Sequence, residues 1–260
     1  MANSVYDKVI GQEHTLVKLR ALATSAAHAY LFVGPSGCGK DIAARAFAAV
    51  KLQGSEDSTQ RTADLAMRGI HVDVHEVERE GAGISMEQAR DEIIKLAERS
   101  AVEGSTRVII VHDFQLLADG ARASLLKTIE EPAPQVVFIL LADQLVPSLT
   151  TINSRCVVVN FARLGDSDIA TALVADGVFP NTAEAIAKAS QGNLDRARML
   201  VTDNYLARRQ EAFANIASRL DGTGAAVFKI VADLSDHLDK AAEALETMHE
   251  RELTQLEERV

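Results

Sequence analysis

The sequence predicts an α/β fold in which helices cover a parallel sheet, followed by smaller helical regions. Over residues 1–160, short apolar runs alternate with helical patterns, which is typical of a parallel sheet wrapped by helices. A glycine-rich turn separates one of these runs from a helix, and only helical patterns remain after residue 167. At 260 residues the chain is long enough for one large domain and a smaller one, each with its own core.

Five segments are predicted as strands because they are short, mainly apolar and bounded by turn-forming residues. They are Ala29–Val33, Gly69–Val77, Val108–Val111, Val136–Leu141 and Val157–Phe161. The second of them alternates polar and apolar residues, and could place three metal ligands on one face. The alternation favours an exposed polar face made of His71, Asp73 and His75 over a metal site.

The segments between and after the strands are predicted as helices, because their apolar residues recur at helical spacing. The predicted helices are Asp41–Val50, Ser85–Ser100 (with Ile93, Leu96 and Ala97 inward), Leu116–Glu130 (ended by Pro132 and Pro134), several within Ser167–Thr202, and Asp236–Val260. The last has a narrow apolar stripe suited to packing on a partner helix. We therefore predict an α/β domain over residues 1–161, a helical lid over 162–203 and a partial helical collar over 204–260.

The charge balance and the cysteine count exclude several classes of protein. A formal charge of −10 argues against a protein that grips DNA unaided, so any contact with nucleic acid should be local or shared with partners. Two cysteines, Cys38 and Cys156, suit free thiols and cannot supply a four-ligand zinc site. Without a bilayer-spanning apolar run or a signal-peptide pattern, we expect a cytoplasmic protein with no membrane contact.

A phosphate-binding loop is predicted between the first strand and the following helix. Its residues, in the spacing G-x-x-x-x-G-K, are Gly34, Pro35, Ser36, Gly37, Cys38, Gly39, Lys40 and Asp41. Glycines let the backbone N–H groups point at phosphate oxygens, and the lysine offsets charge on the β and γ phosphates. The last residue stands where a Ser or Thr hydroxyl ligates Mg²⁺, so the carboxylate predicts weakened or altered nucleotide binding.

The strand Val108–Val111 is followed by the residues that would complete an ATPase site, and two alignments are open. Such sites need an acid that holds Mg²⁺ and, beside it, a Glu that polarises water. If Asp113 is the metal ligand, Phe114 replaces the Glu; if Asp113 replaces the Glu, His112 stands at the metal position. One acid is missing either way, which predicts slow or absent hydrolysis.

Several further motifs resemble the AAA+ clamp-loader ATPases of bacterial replication. They are Val9-Ile10-Gly11-Gln12, Asp113–Pro132 (DFQLLADGARASLLKTIEEP), Phe138–Leu140 (FIL) and Ser154-Arg155-Cys156. The resemblance extends from residue 4 to about residue 200. It implies an AAA+ P-loop fold with a helical lid and collar, and contact of Val9 and Ile10 with adenine. It also implies that Arg155 is an arginine finger, reaching the γ-phosphate held by an adjacent subunit.

Departures from the family's motor subunits are concentrated in one site. Ala142 and Asp143 stand where motors have a sensing Thr, and Asp195 stands at the second sensing Arg, with Arg196 next to it. Together with Asp41 and His112, these changes are typical of the family's delta-prime branch. The zinc-binding cysteines of many relatives are absent from Lys51–Met67, so no zinc is expected.

The resemblance implies a largely ATPase-deficient stator within the DNA polymerase III holoenzyme, with ATP as its possible ligand and Mg²⁺ in doubt. Its implied partners are the gamma/tau and delta subunits and, through the complex, the sliding clamp and primed DNA. Two alternatives are an ATP-hydrolysing gamma/tau-type motor, which Lys40 and Asp113 keep open, and an unrelated P-loop kinase.

Overall fold

The computed structural model describes residues 3–146, 149–202, 216–220, 222–236 and 239. The chain divides into two compact units, Met1–Ala197 and Arg198–Val260. The finer division at residues 161 and 203 stays a prediction. Within the described residues, no helix combines the length and apolar character needed to cross a membrane.

The first unit is built on a five-stranded parallel sheet with the order β2-β3-β4-β1-β5. The strands are β1 (Ala29–Val33), β2 (Val74–Val77), β3 (Arg107–Val111), β4 (Val136–Ala142) and β5 (Val157–Asn160). All five predicted strands are therefore confirmed, although β2 is shorter than expected. Every residue of β3 and β4 is buried, which explains why both read as continuous apolar runs.

Helices connect the strands and follow the last one. They are α1 (Glu13–Leu22), α2 (Lys40–Gln53), α3 (Arg61–Met67), α4 (Met86–Gln88), α5 (Lys95–Ala97), α6 (Asp119–Glu130), α7 (Thr150–Asn153), α8 (Asp166–Ala175), α9 (Pro180–Ser190), α10 (Leu194–Thr202), α11 (Ile216–Arg219) and α12 (224–236). A π-helical turn, Ala89–Ile94, joins α4 to α5, and 3-10 turns cover Val5–Lys8 and Phe114–Leu116. The predicted helix Asp236–Val260 lies outside the described residues, apart from positions 236 and 239.

Apolar side chains fill a layer on each face of the sheet. Tyr30 and Phe32 of β1 point to one face and pack on Phe47 of α2, with the Tyr30 and Phe47 rings edge-to-face at 4.8 Å. Leu31 points to the opposite face, where it joins residues of α6 and α7. This packing fixes α2 against β1, and therefore fixes both ends of the loop between them.

The predicted exposed face of His71, Asp73 and His75 is wrong. Asp73 is 0% exposed and His71 5%, whereas Val72, which the alternation would place on the buried face, is 41% exposed. The physical reason is local: the Asp73 carboxylate accepts hydrogen bonds from the backbone N–H groups of residues 102–104, at 2.6, 2.9 and 3.1 Å. A buried carboxylate that satisfies three backbone donors overrides the alternation of an exposed strand.

Candidate functional site

The phosphate-binding loop has the predicted strand–loop–helix context. Residues 34–39 follow β1 directly, and α2 begins at Lys40. Gly37 and Gly39 have φ values of 69° and 83°, a region that L side chains rarely adopt. A Cβ at Gly37 would also fall 1.9 Å from the Asn193 side-chain oxygen, so only glycine fits there.

Gln12 and the start of α10 hold the loop in place through hydrogen bonds to its carbonyl groups. Buried Gln12 donates through Nε2 to the Cys38 carbonyl at 3.1 Å and to the Ala162 carbonyl at 2.7 Å, and its Oε1 accepts from the Ala162 N–H at 3.2 Å. The Leu194 N–H, at the start of α10, donates to the Gly37 carbonyl at 3.0 Å. Val9, three residues before Gln12, is buried. The Val9-Ile10-Gly11-Gln12 motif indicated this region, but not the structural role of its glutamine.

A cleft of about 590 Å³ opens beside the loop and brings Lys40 and Asp113 together with the altered positions of the predicted site. It is lined by Ser36, Gly37, Lys40, Asp41, Arg45, Glu78, Arg79, Gly81, His112, Asp113, Leu141, Asp143 and Asp195. The four departures from the motor pattern, Asp41, His112, Asp143 and Asp195, therefore share one cavity. Arg45, Glu78 and Arg79 were not predicted from the sequence, because no motif marks them.

The amine of Lys40 is already paired with a carboxylate. Its Nζ lies 2.7 Å from Asp143 Oδ1 and 3.4 Å from the Pro35 carbonyl oxygen. The lysine is largely buried, and the backbone N–H of Asp143 donates to Gln115 Oε1 at 3.3 Å. Asp143 thus offers Lys40 the type of anionic oxygen that a nucleotide phosphate would offer.

Asp113 is paired with an arginine that the sequence did not identify. The residue has a φ of 48°, which Asp tolerates better than most residues, and its Oδ2 accepts a hydrogen bond from Arg79 Nε at 2.9 Å. Arg79 also donates to the Gly81 carbonyl. The acid that both open alignments require is therefore neutralised within the chain.

His112 belongs to a second charged group, between the cleft and the sheet. Its Nε2 donates to Glu76 Oε2 at 3.0 Å, while Arg45 donates to both oxygens of Glu76 at 2.6 and 2.9 Å. Burial alone would raise the pKa of Glu76, but the hydrogen bonds from His112 and Arg45 outweigh it and lower that pKa to about 2. Glu76 therefore stays ionised at neutral pH, and α2, β2 and β3 meet at this ion pair.

The oxygen donors of the cleft do not fit Mg²⁺. Magnesium prefers octahedral oxygen ligands, yet Asp113 is engaged by Arg79 and His112 occupies the neighbouring position. Among the described residues, no group of three or more His, Cys, Asp or Glu is arranged to hold a metal ion. The glycine loop itself has the geometry of a phosphate cradle, but its lysine is shared with Asp143.

Arg155 lies away from the cleft, just beyond α7. Its Nη1 donates to the Thr151 carbonyl at 2.7 Å and to Ser154 Oγ at 3.1 Å, and its Nε is paired with Glu130 at the end of α6. The next residue, Cys156, is partly buried, and burial raises its pKa to about 12. The cysteine thiol is therefore neutral at ordinary pH and packs against the apolar core.

Arg196 lines a second, smaller pocket of about 220 Å³ beside the phosphate loop. Pro35 and Ser36 of the loop and Arg163 also line this pocket. The Arg196 N–H donates to the Asn193 side-chain oxygen at 2.8 Å, so Asn193 caps the start of α10. Asp195, which stands at the position of the motors' second sensing Arg, thus lines the main cleft, whereas Arg196, one residue further on, does not.

Cys38 is buried, which raises the pKa of its thiol.

Comparison with known proteins places these features in one family. Residues 11–165, more than half of the chain, match the model of the family described as DNA polymerase III, delta subunit. The chain is 31% identical to DNA polymerase III subunit tau of Bacillus subtilis, over 94% of this chain and 46% of that protein. It is 34% identical to subunit delta' of Haemophilus influenzae, over 52% of this chain and 42% of that protein. The chain spans about half the length of the curated relatives that it matches.

Among solved structures, a RuvB variant from Thermotoga maritima matches with a TM-score of 0.52 and 17% identity, covering 89% of this chain and 72% of that one. At this identity the match speaks for the fold alone, which is the predicted α/β AAA+ fold. The resemblance to bacterial clamp-loader proteins is confirmed by the family match and by the delta' relatives, and it excludes the kinase alternative. The chain belongs to the DNA polymerase III delta-subunit family.

Proposed function

We propose that this chain is a delta-prime-type clamp-loader subunit of the cytoplasm that does not hydrolyse ATP at a useful rate. It lends Arg155 to the nucleotide site of a neighbouring ATP-hydrolysing subunit while the complex opens a sliding clamp and places it on primed DNA. Its partners in this role are gamma/tau-type and delta-type subunits. The relatives named delta' support this assignment.

The proposal depends above all on the internal pairing of the cleft charges. Lys40 is bonded to Asp143 and Asp113 to Arg79, so the lysine that would engage a nucleotide and the acid that would hold its metal are each paired with another side chain of the cleft. Five carboxylates line the cleft, those of Asp41, Glu78, Asp113, Asp143 and Asp195. They outnumber the three Lys and Arg side chains of the same lining, Lys40, Arg45 and Arg79, and because like charges repel, this excess of negative charge disfavours a polyphosphate.

The isolated chain should turn over ATP no faster than its Lys40→Ala variant. Hydrolysis needs a metal-holding acid and, beside it, a water-polarising Glu, and the end of β3 supplies only one acid for these two positions, Asp113, which is paired with Arg79. A steady-state ATPase assay of both purified proteins measures this. An ordinary rate that Lys40→Ala abolishes would remove the stator role.

Replacing Asp143 by alanine should tighten ATP binding by about tenfold, which corresponds to roughly 1.4 kcal/mol. The change frees Lys40 for phosphate and removes one negative charge from the cleft. Titration with a fluorescent ATP analogue gives the two dissociation constants. Asp91→Ala is a matched control, because Asp91 also bonds a lysine, Lys95 at 2.8 Å, but does not line the cleft. Equal affinities for wild type and Asp143→Ala would mean that this pair does not compete with nucleotide.

A motor role is the second candidate, favoured by the match to a tau subunit over 94% of this chain. In that role Asp143 would leave Lys40 when ATP binds. The same ATPase assay separates the candidates, since a motor hydrolyses ATP and a stator does not. The position of Arg155 agrees with either role, because a finger serves the neighbour's site.

A further inference from the structure

We propose that Glu130 is a positioning residue for Arg155: its carboxylate holds the guanidinium in the orientation in which it meets the neighbouring subunit's nucleotide. This inference rests on the proposed function, in which Arg155 acts in trans. Glu130 itself touches neither nucleotide nor metal. It acts only through the arginine.

The contacts of Arg155 leave one end of the guanidinium free. Nε donates to Glu130, and Nη1 donates to the Thr151 carbonyl at 2.7 Å and to Ser154 Oγ at 3.1 Å. Among the described residues, Nη2 has no hydrogen-bond acceptor. A planar guanidinium that is fixed at two nitrogens presents its third in a defined direction, which suits a partner's phosphate oxygen.

The core of the first unit sets the distance between the two partners. Ile129, next to the glutamate, and Ile152, in α7, are both 0% exposed and belong to one apolar cluster, on which Cys156 packs. The Ile129 carbonyl also accepts a hydrogen bond from His28 Nε2, at 2.8 Å. The ends of α6 and α7 are therefore anchored in the same core, and the pair above them is preorganised.

The ion pair between Glu130 and Arg155 contributes little to the stability of the fold. The Arg155 and Glu130 side chains are 38% and 44% exposed, and exposed ion pairs contribute little to folding. An unrestrained arginine samples many rotamers, and the freedom it loses on reaching a ligand weakens the interaction. A carboxylate that removes this freedom in advance improves the action of the finger without strengthening the fold.

The test is Glu130→Ala in a clamp-loader complex reconstituted from this chain, delta and an ATP-hydrolysing tau-type partner. We expect kcat to fall by about threefold to tenfold while the KM for ATP changes by less than about twofold, because a mispositioned finger loses contact chiefly in the transition state. Glu130→Gln keeps an acceptor for Nε and should recover most of the turnover. Glu130→Ala combined with Arg155→Ala should be no slower than Arg155→Ala alone, since the carboxylate acts through the arginine.

Glu131→Ala is the matched control, because this exposed neighbour forms no side-chain hydrogen bond or ion pair within the described part of the chain. Its complex should have the wild-type turnover, and gel filtration should show equal assembly for every variant. Unchanged kcat in Glu130→Ala, beside a slow Arg155→Ala complex, would overturn the positioning role and leave the proposed function intact. Unchanged kcat in Arg155→Ala would overturn both.

Discussion

Replacing Arg155 by alanine should slow ATP hydrolysis about 10³-fold at the partner site that the residue serves, because arginine fingers contribute about 10³–10⁵ to kcat. The guanidinium stabilises charge on the transferring phosphoryl group, so the loss should appear in kcat more than in KM. Arg155→Lys should not restore the rate, since an ammonium group lacks the planar fork. Single-turnover hydrolysis by the reconstituted complex measures the served site directly.

The control for this experiment is Arg90→Ala, which removes an exposed arginine that forms an ion pair with Asp91, at 3.5 Å. Arg155 is itself partly exposed and paired with exposed Glu130, so its removal should change the melting temperature of the chain little. Gel filtration shows whether the Arg155→Ala chain still assembles. A slow rate in a fully assembled complex is then due to the missing arginine and not to a missing subunit. A fully assembled Arg155→Ala complex with wild-type turnover would exclude a finger role.

Asp73→Ala should lower the free energy of unfolding by about 3–5 kcal/mol, as expected when one partner of a buried charge pair is removed. Asp73 is 0% exposed, accepts three backbone N–H bonds and lies 3.8 Å from the buried guanidinium of Arg107. Its loss leaves these three donors without their acceptor and removes the negative charge beside Arg107, whose guanidinium still donates to the Ser100 carbonyl at 2.6 Å. Urea unfolding of wild type and variant measures the difference, which should appear in the midpoint with an unchanged m value.

The contribution of Asp73 should depend on pH in a defined direction. Burial opposes its ionisation, but the N–H groups of Val102, Glu103 and Gly104 outweigh burial and lower its pKa. A lowered folded-state pKa gives stability that is fully present above the unfolded value of about 4 and is lost as the pH falls through the folded-state value. The difference in the free energy of unfolding between wild type and Asp73→Asn should therefore become smaller below about pH 4.

The matched control for Asp73 is Asp64→Ala, because Asp64 is an exposed aspartate with one ion pair to Arg68 at 3.5 Å. Its removal should change the free energy of unfolding by no more than about 0.5 kcal/mol. Equal losses for the two variants would mean that the buried network carries no special stability.

Much of the fold could be predicted because burial patterns and turn residues are local properties of the sequence. The apolar runs at β1, β3 and β4 lie within one residue of their predicted bounds, since strands buried on both faces need apolar side chains at every position. The prediction of an exposed polar face around Asp73 was wrong for a non-local reason. The partners of Asp73 are backbone groups about 30 residues away, and no alternation within the predicted strand Gly69–Val77 contains that information.

The sequence by itself determined the phosphate loop, the parallel sheet and the family, because spacing, apolar runs and motifs are written along the chain. Only the tertiary structure decided the pairing of charges: Lys40 with Asp143, Asp113 with Arg79, and Glu76 with both Arg45 and His112. These partners are 31 to 103 residues apart and meet because β1, β2, β3 and β4 end at the same edge of a parallel sheet, where α2 begins. Coulomb attraction and hydrogen bonding act across space, so a charge's partner cannot be read from its neighbours in the chain.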